Sequence, residues 1–159
     1  MKITFQKHRG KNPTLHCQRN DETITYTNMM PFMVMHDLAH YAVEHTLNLT
    51  EGFYGMVSKG INIHDFELPK HLRPDLPIQA IQIEYIVNLL TTEMADSKLL
   101  TDFNATLQAC FKENNCSPMR ISIIELEQIR DLFQQLWKEW ETLDEGDVLT
   151  LRFLQNGIS

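Results

Sequence analysis

Val148-Leu149-Thr150-Leu151-Arg152-Phe153-Leu154 sets Leu149, Leu151 and Phe153 against Thr150 and Arg152. That period of two marks a half-buried strand. A lone strand would leave its backbone N–H and C=O groups unpaired, so this one must join a sheet built elsewhere. The partner lies at the other end of the chain. Ile3 and Phe5 alternate with Lys2, Thr4 and Gln6, Leu15 and Cys17 repeat the pattern, and Ile24 and Tyr26 stand among threonines. His8-Arg9-Gly10-Lys11-Asn12-Pro13 and Arg19-Asn20-Asp21 supply turn chemistry between them. The first third therefore reads as a three-stranded antiparallel meander, which the last strand completes.

Between these ends the apolar period is helical. Pro31 suits a first helical turn, and Val34, Leu38, Tyr41, Ala42 and Leu49 can face a core. A short helix is expected over 51–59, closed by Gly60, followed by a loop over 61–77 with three prolines. Asp75 is the expected N-cap of the next helix. There Ala80, Ile83, Val87, Leu90 and Met94 form one stripe and Ile78, Ile81, Tyr85 and Leu89 another, so most of its circumference should be buried. A fourth helix is expected over 99–112. The fifth opens with Ser122 and Glu125, the spacing of a capping box, and keeps apolar residues from Leu126 to Leu143. The order strands, helices, strand predicts an α+β fold: an antiparallel sheet of about four strands, three N-terminal and one C-terminal, against a layer of about five helices. At 159 residues, one domain spanning 1–159 is the expectation.

Composition narrows the function classes. Fourteen Lys and Arg face twenty-one Asp and Glu, a net charge of -7 that argues against general nucleic-acid binding. Five basic residues and no acid precede Asp21, and this stretch reads as the solvated face of a small sheet. No apolar run approaches the ~20 residues of a membrane span, and the N-terminus does not resemble a secretory leader, so no membrane partner is expected. Cys17, Cys110 and Cys116 have no metal-ligand spacing, and their odd number suits a reducing cytoplasm. No Gly-rich phosphate loop or Ser nucleophile elbow is present.

The one dense cluster of ligand-capable side chains is Met35-His36-Asp37-Leu38-Ala39-His40-Tyr41-Ala42-Val43-Glu44-His45. Residues four apart on a helix share a face about 6 Å apart along the axis, so His36 and His40 can reach one divalent ion. Glu44 lies about 12 Å from His36 along the axis, too far for both to bind the same ion. An outside ligand is needed. His64, followed by Asp65, is the first candidate, and Glu84 is the next. Asp37 occupies the position of the general-base glutamate in an HExxH helix but is shorter by one C–C bond. It could equally orient an imidazole. The plainer reading is a polar cluster without metal, with His40 and Glu44 as an ordinary i,i+4 pair.

These residues also carry a resemblance. His36-Asp37-Leu38-x-His40-x-x-Val43-Glu44, then Gly52-Phe53-x-Gly55-x-Val57-x-x-Gly60, resembles a family of small uncharacterised bacterial proteins with an HDLxHxxVE helix and a GFxGxxxxG segment. The closing Trp140-x-x-Leu143-x-x-Gly146-x-x-Leu149-x-Leu151 is similar to that family's end. The resemblance implies a short N-terminal sheet before the motif helix and supplies no activity. The HDxxH helix of zinc-binding ubiquinone-biosynthesis proteins is also similar, but their motif has a glutamate twelve residues after the second histidine, where this chain has Gly52.

Two function classes emerge. One is a metal-dependent enzyme, hydrolytic in type, with His36, His40 and His64 holding Zn²⁺ or another divalent ion and Asp37 or Glu44 accepting the proton of an activated water. The other is a non-enzymatic interaction module in which the same cluster is structural. The partner is accordingly a small molecule or another protein.

Overall fold

A computed structural model describes residues 1–153. Its sheet is formed by β1 (Lys2–His8), β2 (Lys11–Gln18), β3 (Ile24–Asn28) and β4 (Val148–Arg152). The order is β3-β2-β1-β4, antiparallel throughout, so the last strand lies beside the first with Ile3 opposite Leu151 and Phe5 opposite Leu149. This is the expected α+β architecture with three N-terminal strands and one C-terminal. Leu154, read as the end of the last strand, lies outside the described residues. Three of the predicted turn residues, Lys11, Asn12 and Pro13, belong to β2 itself. Pro13 is accommodated because the β1–β2 register shifts between Gln6 and His8, where a missing N–H disrupts little.

One face of the sheet is apolar. Ile3, Phe5, Leu15 and Cys17 are fully buried there, and Leu149 is nearly so. β3 departs from expectation, because Ile24 and Tyr26 are exposed while Thr25 and Thr27 face inward. Residues directly opposite in an antiparallel pair share a face, and Thr25 and Thr27 lie opposite Cys17 and Leu15. The inward threonines have polar work to do: Thr25 Oγ1 accepts the Ile63 N–H at 3.0 Å. Outside, Tyr26 stacks on His16 across the strands.

Five α-helices pack on this side, α1 directly against the sheet and α4 against α3: α1 (Pro31–Thr46), α2 (Phe53–Ser58), α3 (Ile78–Asp96), α4 (Phe103–Glu113) and α5 (Ile123–Thr142). A 3₁₀ turn at Ile63–Glu67 interrupts the long loop. Helix α1 is central and packs on α2, α3, α5 and β2. Ser122 and Glu125 form the reciprocal cap of α5 as predicted. At the other end of that helix Lys7 Nζ donates to the Leu143 and Glu141 carbonyls and lies over the Trp140 ring, so one of the basic N-terminal residues closes a helix C-terminus. Helix α3 begins after Pro77, not at an Asp75 cap. Its first stripe is buried, but the second is only partly so: Tyr85 and Leu89 pack half-buried against the core, while Ile78 is 54% exposed and Ile81 38%. Among the described residues no helix is long and apolar enough to cross a membrane.

Candidate metal centre

The cluster is built where α1 crosses α3. Four-residue spacing brings His36 and His40 onto one face of α1, with ring centroids 4.8 Å apart. From α3, Glu84 reaches both. Its Oε1 lies 3.0 Å from His40 Nε2, and its Oε2 lies 3.5 Å from His36 Nε2. One ligand atom from each of the three falls within 4.8 Å of the others.

The opposite nitrogen of each ring is also held. Asp37 Oδ1 lies 3.2 Å from His36 Nδ1, and Glu44 Oε1 lies 3.3 Å from His40 Nδ1. Glu44 is wholly buried, and its carboxylate also accepts the N–H groups of Tyr54 at 3.3 Å and Gly55 at 3.0 Å. These are orphan donors of the first turn of α2, so Glu44 caps that helix from a distance. The motif's Gly52 is explained by the same carboxylate. A Cβ there would sit 2.3 Å from Glu44 Cδ, inside any allowed contact, so only glycine lets the carboxylate through. At Gly55 a Cβ would meet the Thr50 carbonyl oxygen at 2.3 Å. The HDLxHxxVE and GFxG stretches are therefore one structural unit.

Charge is set by these contacts. Burial alone would lower the His40 pKa, but hydrogen bonds to Glu44 and Glu84 outweigh it and raise it to about 10. His36 is likewise raised, its desolvation overcome by Asp37 and Glu84. Glu84 is held well below the usual carboxylate range: desolvation pushes it up, and the two imidazoles more than reverse this. Without a metal, these contacts favour a protonated His40 against an ionised Glu84, with His36 shifted in the same direction as His40.

Five of the sequence candidates, His36, His40, Asp37, Glu44 and Glu84, meet here, with Glu84, the second choice of outside ligand, in the place expected first of His64. His64 does not converge on them. It lies on the 3₁₀ turn, 62% exposed, with Nδ1 3.3 Å from Glu67 and its ring edge-on to Tyr26. Glu44, a candidate proton acceptor, stands on the far side of the His40 ring from Nε2 and is occupied by two backbone N–H groups. Asp37 likewise holds its histidine from the Nδ1 side and is buried, but unlike Glu44 it borders the cavity.

His36, His40, Asp37 and Glu84 border a cavity of about 580 Å³. Met29, Met33, Phe53, Met56 and Phe66 line its walls, and no sequence motif marks them as a group. Their only signal is the run Met29-Met30-Pro31-Phe32-Met33-Val34-Met35, which holds four of the chain's eight methionines.

No protein-family model, curated protein or solved structure matches this chain.

Proposed function

We propose that the protein is a metal-dependent hydrolase in which His36, His40 and Glu84 hold a divalent ion, zinc or a close relative. The observation that carries this reading is the paired orientation of the imidazoles. Both Nε2 atoms aim at one carboxylate, and both Nδ1 atoms are held by another, which is how metal-binding histidines are fixed in tautomer and angle. The donor set fits such an ion. Two histidines and a carboxylate form a catalytic zinc set, and bonds of about 2.0–2.2 Å put neighbouring ligand atoms near the present His–Glu84 separations. Glu84, 46% exposed, is free to adjust.

An ion held there supplies Lewis acidity and lowers the pKa of a water on the cavity side. Asp37 lines the cavity and is the chain's own acceptor for that water's proton. Glu44 orients His40 and secures α2.

A second reading has its own observation. The cluster satisfies itself without metal, and no buried side-chain nitrogen or oxygen among the described residues lacks a partner. As a plain ion-pair network it would tie α1 to α3 in a non-enzymatic interaction protein. Elemental analysis of untagged protein separates the two. The hydrolase reading expects one equivalent of zinc, manganese, nickel or iron, lost in folded His36→Ala, His40→Ala and Glu84→Gln variants. Protein that stays metal-free, with thermal melts indifferent to added Zn²⁺, supports the structural network instead.

A further inference from the structure

The cavity that meets His36, His40 and Glu84 has a chemistry of its own. We propose, building on the metal reading of those three residues, that its ligand is an apolar organic molecule that enters head first. One metal-binding polar group sits at the histidines and a hydrocarbon body lies along the walls. Eleven of the nineteen lining residues are apolar, and four of the eight polar ones, His36, Asp37, His40 and Glu84, belong to the ligand cluster. The other four are Thr27, Asn28, Glu67 and Arg73; Thr27 Oγ1 contacts Glu67 at 3.5 Å, and Arg73 Nε donates to the Leu68 carbonyl. A sugar would need polar groups all round it, whereas most of this lining is methionine, aromatic and aliphatic.

Within the cluster His40 is the deep residue, 2% exposed, while Glu84 beside it reaches 46%; along the opening Met30 and Phe32 leave apolar surface in water at 54% and 69%. Apolar side chains left in water around an opening mark a ligand-binding groove rather than a sealed core. The methionines add adaptability, since an unbranched thioether conforms to chains of different shape. The volume of about 580 Å³ lies within the range of small-molecule sites.

The test uses the full chain and begins with zinc alone, its uptake read by titration calorimetry. Straight-chain hydroxamic acids, from acetohydroxamic to decanohydroxamic acid, are then titrated into the zinc-loaded protein. Each added methylene should tighten binding about three- to fourfold until the cavity is filled. Met33→Trp should end that gain at a shorter chain. Phe32→Ser, at the exposed mouth, should weaken only the longest members and serves if the first variant does not fold. Zinc uptake with affinities independent of chain length overturns the apolar-ligand proposal and leaves the metal reading standing. Absence of zinc uptake overturns the metal reading. A parallel n-alkanol series on metal-free protein then reads the apolar chamber alone, and a flat series there overturns the proposal as well.

Discussion

Glu44 is a single side chain with three attachments: His40 Nδ1 and the N–H groups of Tyr54 and Gly55. Glu44→Ala leaves a buried imidazolium and two helix-end donors without their acceptor, and removing one partner of a buried charged pair costs about 3–5 kcal/mol. Thermal or urea unfolding should show a loss of that order, and a change below about 1 kcal/mol would deny Glu44 its anchoring role. The same cluster sets a pH dependence in the metal-free protein. His40 rises from 6.5 to about 10 on folding, so its contribution is complete below about pH 6.5 and disappears as pH climbs through 10. Glu84 is depressed from 4.5, so its contribution is complete above that value and fades as pH falls below it. The difference in melting temperature between wild type and Glu84→Gln should therefore be largest between about pH 4.5 and 6.5 and shrink toward pH 10; a difference that grew with alkalinity would contradict this linkage. The motif histidines were legible because i,i+4 spacing is local. The choice between Glu84 and His64 was not, since it depends on where α3 crosses α1, and no spacing along the chain encodes that crossing.

At the scale of elements, the start of α5 could be read directly because both halves of its cap lie within four residues. The phase of β3 could not. Its threonines turn inward to meet the 3₁₀ turn some forty residues later, a contact that outweighs burial of Ile24 and Tyr26. The helical layer has a comparable long-range tie. Arg130 on α5 donates from Nε and Nη2 to both oxygens of Glu93 on α3, at 2.9 and 2.5 Å, and Glu93 also accepts the Leu100 N–H ahead of α4. With Glu93 only 5% exposed, Glu93→Ala strands a guanidinium between helices, and a loss of about 3–5 kcal/mol is expected. Ser122→Ala, which removes only a cap, should cost about 1 kcal/mol. Chemical denaturation of the two variants side by side tests the ranking, and equal losses would mean that the pair is solvated in solution.

Across the whole molecule, the hydrophobic core draws on every α-helix, the 3₁₀ turn and three of the four strands, with Leu149 and Phe153 contributed from the far end. A chain stopped after Asp144 loses both of these, together with one of the two partners of β1. It is expected to lose its cooperative thermal transition and to expose apolar surface, as seen by dye binding. A truncated chain that melts like the parent would show β4 to be an accessory strand.

The pairing of the first strand with the last also has a consequence in time. Ile3 and its partner Leu151 leave the ribosome 148 residues apart, an interval of about 7–30 s at 5–20 residues per second. Throughout it β1 can pair with β2 but presents a bare edge on its other side, a template for any passing strand. The nascent chain thus carries an aggregation hazard along β1 until β4 has emerged. Cellular yield should therefore respond to translation speed and chaperone supply more strongly than the stability of the finished protein would suggest.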